Sequence, residues 1–182
     1  MKYAKPFKSA KPVDMTQGFW KEHQANDFAS SYGTFITAPF NAKVINVVGA
    51  KTFDGSNDLL QNGCGVRLQS IEDPSITISY WHCLPFFPVS KGDIVIQGQP
   101  IAQMGNTGFV MAGDKIVETN MKLIPPYKGT HVHITMGKTN SDGTYTSMDY
   151  SKQIDWLIPV NYDALTAIKV ILQKISNVLL LR

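Results

Sequence analysis

The four histidines of the chain fall in three segments. These are His23-Gln24-Ala25-Asn26-Asp27, where a carboxylate follows four residues on, Tyr80-Trp81-His82, and His131-Val132-His133. Imidazole is the commonest protein ligand for zinc, and two imidazoles with one carboxylate leave a tetrahedral ion an open position for water. Such an opening belongs to catalytic rather than structural ions. The β-branched setting Thr130-His131-Val132-His133-Ile134-Thr135 favours a strand, on which residues two apart share a face, so both imidazoles can enter one site. The spacing from His23 to Asp27 puts both side chains on one face of a helix, and an irregular loop does the same. Each motif alone is weak, because a single histidine is more often a surface or hydrogen-bonded core residue; the combination is far more specific.

The elements that must position these groups are short and β-rich. Runs such as Val44-Ile45-Asn46-Val47-Val48, Ile76-Thr77-Ile78-Ser79-Tyr80 and Ile94-Val95-Ile96 are separated by turn signals at Phe53-Asp54-Gly55-Ser56-Asn57, Glu72-Asp73-Pro74-Ser75 and Asn140-Ser141-Asp142-Gly143. A length of 182 residues fits about one domain with a proper core. The pattern predicts a mainly β protein, an antiparallel sheet with a groove. No internal repeat or low-complexity tract is present.

The order of the motifs and the text between them resemble the lysostaphin-type zinc endopeptidases of the M23 family. That pattern runs from a His-x-x-x-Asp element to a tyrosine-rich strand ending in histidine, then a glycine-rich turn, here Gly105-Asn106-Thr107-Gly108, and a His-x-His strand. Thr37-Ala38-Pro39-Phe40-Asn41-Ala42-Lys43-Val44 and Gly92-Asp93-Ile94-Val95-Ile96-Gln97-Gly98-Gln99-Pro100-Ile101-Ala102 are similar to two further stretches of the family. The likeness runs from roughly Phe19 to Leu157. It divides the chain into a basic N-terminal arm over 1–18, a peptidase domain over 19–158 and a C-terminal segment over 159–182.

The resemblance implies that His23, Asp27 and His133 hold Zn2+ and that His82 and His131 are unligated catalytic imidazoles. One would take a proton from the attacking water, the other would steady the oxyanion or protonate the leaving amine, and which does which stays open. The implied substrate is bacterial peptidoglycan, cut in the stem peptide or cross-bridge. Two other classes are an idle scaffold or activator with this fold and a virion structural component. Against the idle form stands the full set of ligands and catalytic histidines. Segment 109–129, between the glycine turn and the His-x-His strand, is longer than the family's shorter connections, carries Pro125-Pro126-Tyr127, and is the specificity candidate.

The net charge is +3, with Lys2, Lys5, Lys8 and Lys11 gathered at the start. A basic arm is attracted to polyanionic cell wall; the plainer expectation is a solvated, mobile tail. No Gly-rich phosphate loop, zinc finger or basic helix supports nucleic-acid binding. The first residues lack the apolar stretch of a secretory signal, and no run is long enough to span a bilayer. Yet the implied substrate is extracellular or periplasmic, so either a leader has been trimmed away or the protein leaves the cell another way, and the favoured expectation is a bacteriophage tail or lysis protein. Over 163–182, Leu165, Ile168, Ile171, Leu172, Ile175, Val178 and Leu179 recur at spacings of three and four, predicting an amphipathic α-helix that packs on the domain or docks virion or tail proteins. Cys64 and Cys83 lie equally far from the Asp73-Pro74 turn, so a hairpin makes them cross-strand neighbours and not zinc ligands, with Cys83 turned from the face of His82.

Overall fold

The computed structural model describes residues 2–49 and 62–158. The helix expected in 159–182 and the turn expected at 53–57 lie outside the described residues. In chain order the strands are β1 (Met15–Gln17), β2 (Asn26–Phe28), β3 (Phe35–Thr37), β4 (Ala42–Val48), β5 (Cys64–Ser70), β6 (Ile76–Cys83), β7 (Ile94–Val95), β8 (Pro100–Gln103), β9 (Met111–Ala112), β10 (Lys115–Ile116), β11 (Val132–Thr139) and β12 (Tyr145–Met148). A one-turn helix, α1 (Thr119–Leu123), follows β10.

One antiparallel sheet runs in the order β1-β2-β11-β6-β5-β4-β7, with β12 on the far part of β11. β6 is its centre, paired to β11 on one side and β5 on the other. The hairpin β5–β6 turns at Asp73-Pro74, where the Asp73 carboxylate accepts from the Ser75 N–H at 3.1 Å. Side-chain alternation then sorts the faces. Val66 and Leu68 of β5, Ile76, Ile78 and Tyr80 of β6, and Val132, Ile134 and Met136 of β11 all enter one core, together with Phe28, Ile36, Phe40, Val44 and Ile101. The opposite phase of β11 carries His133, Thr135 and Gly137. β3 and β8 form a separate two-stranded sheet, and β9 with β10 makes a small hairpin.

The N-terminal segment does not run as a solvated tail. Between exposed Lys2, Lys8 and Lys11, the apolar Tyr3, Ala4, Phe7 and Ala10 are buried. Tyr3 bridges in parallel to Ile154, its N–H donating to Gln153 O at 2.9 Å, and its ring meets Phe40 edge-on at 5.1 Å. Tyr150 Oη donates to Ala4 O at 2.6 Å, and Thr37 N–H donates to Pro6 O at 2.8 Å. Burial of the aromatic side chains outweighs what solvation of a short basic segment offers, so the two ends of the described chain meet on the core.

Phe7, fully buried, is the anchor of this segment. Phe7→Ala is expected to lower the unfolding free energy by about 3–5 kcal/mol, whereas exposed Lys8→Ala should stay within about 0.5 kcal/mol of the parent. Urea titration of the two variants checks the contrast, and equal midpoints would show that the segment is not part of the cooperative core.

Candidate active site

The site grows out of a register. Asp27 of β2 and His133 of β11 are direct cross-strand partners, and His133 faces Trp81 of β6 across its other edge. Opposed residues in an antiparallel pair point to the same side, so a carboxylate and an imidazole are delivered together. His133 Nδ1 lies 2.9 Å from Asp27 Oδ1. Of the two settings that the spacing from His23 to Asp27 allows, the helix is not formed. A tight turn closed by mutual backbone hydrogen bonds between Trp20 and His23 leads into β2 instead, and it brings His23 Nε2 to 3.4 Å from Asp27 Oδ2. The loop alternative thus holds, because β2 needs partners on both edges and a helix there offers none.

His131 keeps the strand phase of His133 and bridges Gly105 of the glycine turn, its N–H donating to Gly105 O at 3.2 Å. Its Nε2 is 3.9 Å from Asp27 Oδ2. His82 is the unexpected case. Trp81 has the phase of His133, so strict alternation would send His82 into the core. Its φ of +59° breaks the phase, a left-handed conformation rare for a residue with a side chain and held here by its surroundings. The ring therefore stacks obliquely on His131, centroids 4.7 Å apart, with His133 at 5.8 Å. Cys83, one residue on, drops into the core beside its register partner Cys64, with no disulfide joining the two. The cysteines are neighbours outside the site, as the hairpin argument predicts.

Backbone carbonyls set the tautomers. His23 Nδ1 faces Gly18 O at 3.0 Å, His82 Nδ1 faces Thr107 O at 2.8 Å, and His131 Nδ1 faces Gly129 O at 2.8 Å. A carbonyl only accepts, so each of these Nδ1 atoms carries a proton, and at His82 and His131, whose pKa burial lowers, Nε2 then keeps its lone pair. His133 is the exception, presenting Nδ1 itself to Asp27. Ligand atoms of His23, Asp27 and His133 all lie within 4.8 Å of one another. This N, O, N set, with the free position a catalytic ion requires, is able to hold a metal.

The electrostatics match. Burial favours the neutral acid at Asp27, yet the hydrogen bond from His133 and the field of three imidazoles overcome it and hold the carboxyl below its ordinary value. Burial, aided by His131, pushes the His82 imidazole down to about 3. Burial also lowers His131, against the pull of the Asp27 carboxylate. Both are uncharged at neutral pH. The groove around them is lined by Thr16, Gln17 and Glu22 and by the start of the inserted segment, from Phe109 to Gly113. Segment 109–129 thus walls one side of the groove through its two ends, Phe109 to Gly113 and Gly129. Glu22 and Thr107 are site residues that spacing alone did not single out. Glu22 adjoins His23 in the turn, and Thr107 was visible only as part of the glycine turn.

Solved structures share this architecture. LytU superposes with a TM-score of 0.53 at 24% identity, covering 75% of this chain and 80% of that one. The antimicrobial peptidase lysostaphin from Staphylococcus simulans gives 0.53 at 18% identity, with 82% and 53% covered. A zinc-containing peptidase from Vibrio cholerae gives 0.51 at 19%, with 85% and 37% covered. The chain therefore spans about half of the lysostaphin chain and just over a third of the Vibrio one. No match is found among curated proteins. The sequence itself matches Peptidase family M23 over residues 21–143, more than half of its length and every histidine and carboxylate described above. The chain belongs to peptidase family M23.

Proposed function

We propose that the protein is a zinc-dependent endopeptidase that hydrolyses peptide bonds of bacterial peptidoglycan, with His23, Asp27 and His133 as metal ligands and His82 and His131 as catalytic imidazoles. The observation that carries this reading is the convergence of five groups on one groove. Three offer ligand atoms within 4.8 Å of one another, and two offer unprotonated Nε2 atoms beside them. Lysostaphin, named an antimicrobial peptidase, shares the fold and supports the direction of the proposal.

When bound, zinc supplies a Lewis acid and lowers the pKa of a coordinated water towards neutrality. The chain's own residues do the rest. Asp27 and His133 hold their donor atoms in place through strand register, so little ordering is left to the moment of binding. His82 and His131, neutral and with Nδ1 tied to carbonyls, present Nε2 as a proton acceptor towards the groove. An imidazole that has taken the proton of the attacking water becomes the donor that the leaving amine requires. Phe109 and Met111, exposed on the groove wall, offer apolar surface to the peptide.

Metal content and hydrolysis of purified wall, measured together on alanine variants, test the division of labour. His23→Ala, Asp27→Ala and His133→Ala should lose zinc, activity and thermal stability, since bound metal stabilises only the folded state. His82→Ala and His131→Ala should keep zinc and lose turnover by about 10²–10⁴-fold. A metal-free His131→Ala beside a loaded His133→Ala would reverse the assignment.

Chelation should abolish hydrolysis and lower the melting temperature, with both restored by zinc. In the chelated protein the buried imidazoles give a pH signature. The folded-state pKa of His82, about 3, lies below its ordinary 6.5. Unfolded chains therefore bind the extra proton between these values, and stability, full above about pH 6.5, should fall as the pH drops towards 3. His82→Gln should flatten that slope in urea titrations; an unchanged slope would mean His82 is not held neutral.

A further inference from the structure

Thr107 hydrogen-bonds three separate groups, one of which is the ring of His82. Its side chain is buried in the glycine turn, with 2% of its surface exposed. The hydroxyl donates to Cys83 O at 2.7 Å and accepts from the Cys64 N–H at 2.9 Å. One hydroxyl thereby joins the end of β6 to the start of β5. The carbonyl of the same residue receives the Nδ1 proton of His82 at 2.8 Å. Close backbone contact secures the turn from the other side: a Cβ on Gly63 would collide with the Thr107 carbonyl, and one on Gly108 with the Gly63 backbone. Both glycines also have positive φ, 64° and 74°. His82 has left the regular ladder, so strand hydrogen bonding does not fix its ring.

We propose that Thr107 is a positioning residue for His82: its hydroxyl, locked between Cys64 N–H and Cys83 O, aims its own carbonyl at Nδ1 and so keeps Nε2 unprotonated and facing the groove. The proposal rests on the reading of His82 as a catalytic imidazole. The hydroxyl carries the specificity, because a serine keeps both of its hydrogen bonds while a valine of the same shape leaves a buried donor and acceptor unmatched. A carbonyl released from that clamp lets the ring turn or exchange tautomer.

The test combines imidazole 15N NMR with kinetics on the zinc-loaded protein. His82 resonances, assigned by their loss in His82→Gln, should report the Nδ1–H tautomer in the parent and in Thr107→Ser. In Thr107→Val they should report a mixture, with kcat on purified wall reduced about 10–100-fold, the scale of lost outer-shell partners. KM and zinc content should not change. Thr77→Val is the control, since it removes another buried hydroxyl of β6, one that accepts from Arg67 Nη2 at 3.2 Å. It should lower stability without altering the tautomer or kcat. An Nε2–H tautomer in the parent overturns the proposal even if Thr107→Val does not fold. So does a Thr107→Val protein with the parent's tautomer, or one whose kcat falls no further than that of Thr77→Val. Failure of the parent to cut any wall would defeat the hydrolase reading, and the tautomer comparison would still decide the role of Thr107.

Discussion

The cross-strand pairing of Asp27 with His133 is the constraint on which the rest of the site depends. Asp27 sits in the middle of the short β2 and His133 near the start of the long β11, and antiparallel geometry sends opposed side chains to one face. A slip of one residue would put Asn26 or Phe28 opposite His133 and move the carboxylate to the core face. The buried partners Val132, Ile134, Phe28 and Tyr80 make such a slip costly, because every apolar residue would leave the core with it. Core packing and site chemistry are therefore two faces of the same pairing. Despite burial, the Asp27 carboxyl is held below its ordinary value, chiefly by the hydrogen bond from His133.

His82 enters the site by the opposite route, through a break in regularity. It follows Trp81 at the end of the central strand, where the positive φ carries its ring across to His131. Such a conformation persists only when its neighbours impose it. Here the Asn62 carbonyl accepts the His82 N–H at 3.1 Å, and the glycine turn packs below the ring. The turn is in turn fastened to the inserted segment, since Asn106 Nδ2 donates to Lys122 O and Lys128 O at 3.2 and 3.0 Å. The segment that walls the groove is thus bonded to the turn beneath a catalytic candidate. Changes in that wall and changes at His82 share a mechanical connection through Asn106 and Thr107.

The order of motifs in the sequence, with a β-rich text punctuated by turns, determined the fold class and singled out five candidate site residues, all of which line one groove. Their convergence was legible because the candidates lie on or beside strands, where a period of two and a His-x-His spacing are enough to declare a shared face. The hairpin at Asp73-Pro74 was legible for the same local reason, and with it the adjacency of Cys64 and Cys83. Tertiary structure decided what local patterning does not encode. Whether His23 and Asp27 sit on a helix or a turn depends on β11, more than a hundred residues away, claiming the edge of β2. Strict alternation from Trp81 would put His82 on the core face, and only its contacts with the glycine turn account for its reversal. The basic start of the chain looked like a free arm because lysine charge is conspicuous in a sequence, while burial of Tyr3 and Phe7 needs Phe40, Tyr150 and Ile154 to be assembled first. Non-local burial is a property of the folded surface and not of any window of residues, which is why it appears only once the chain has closed on itself.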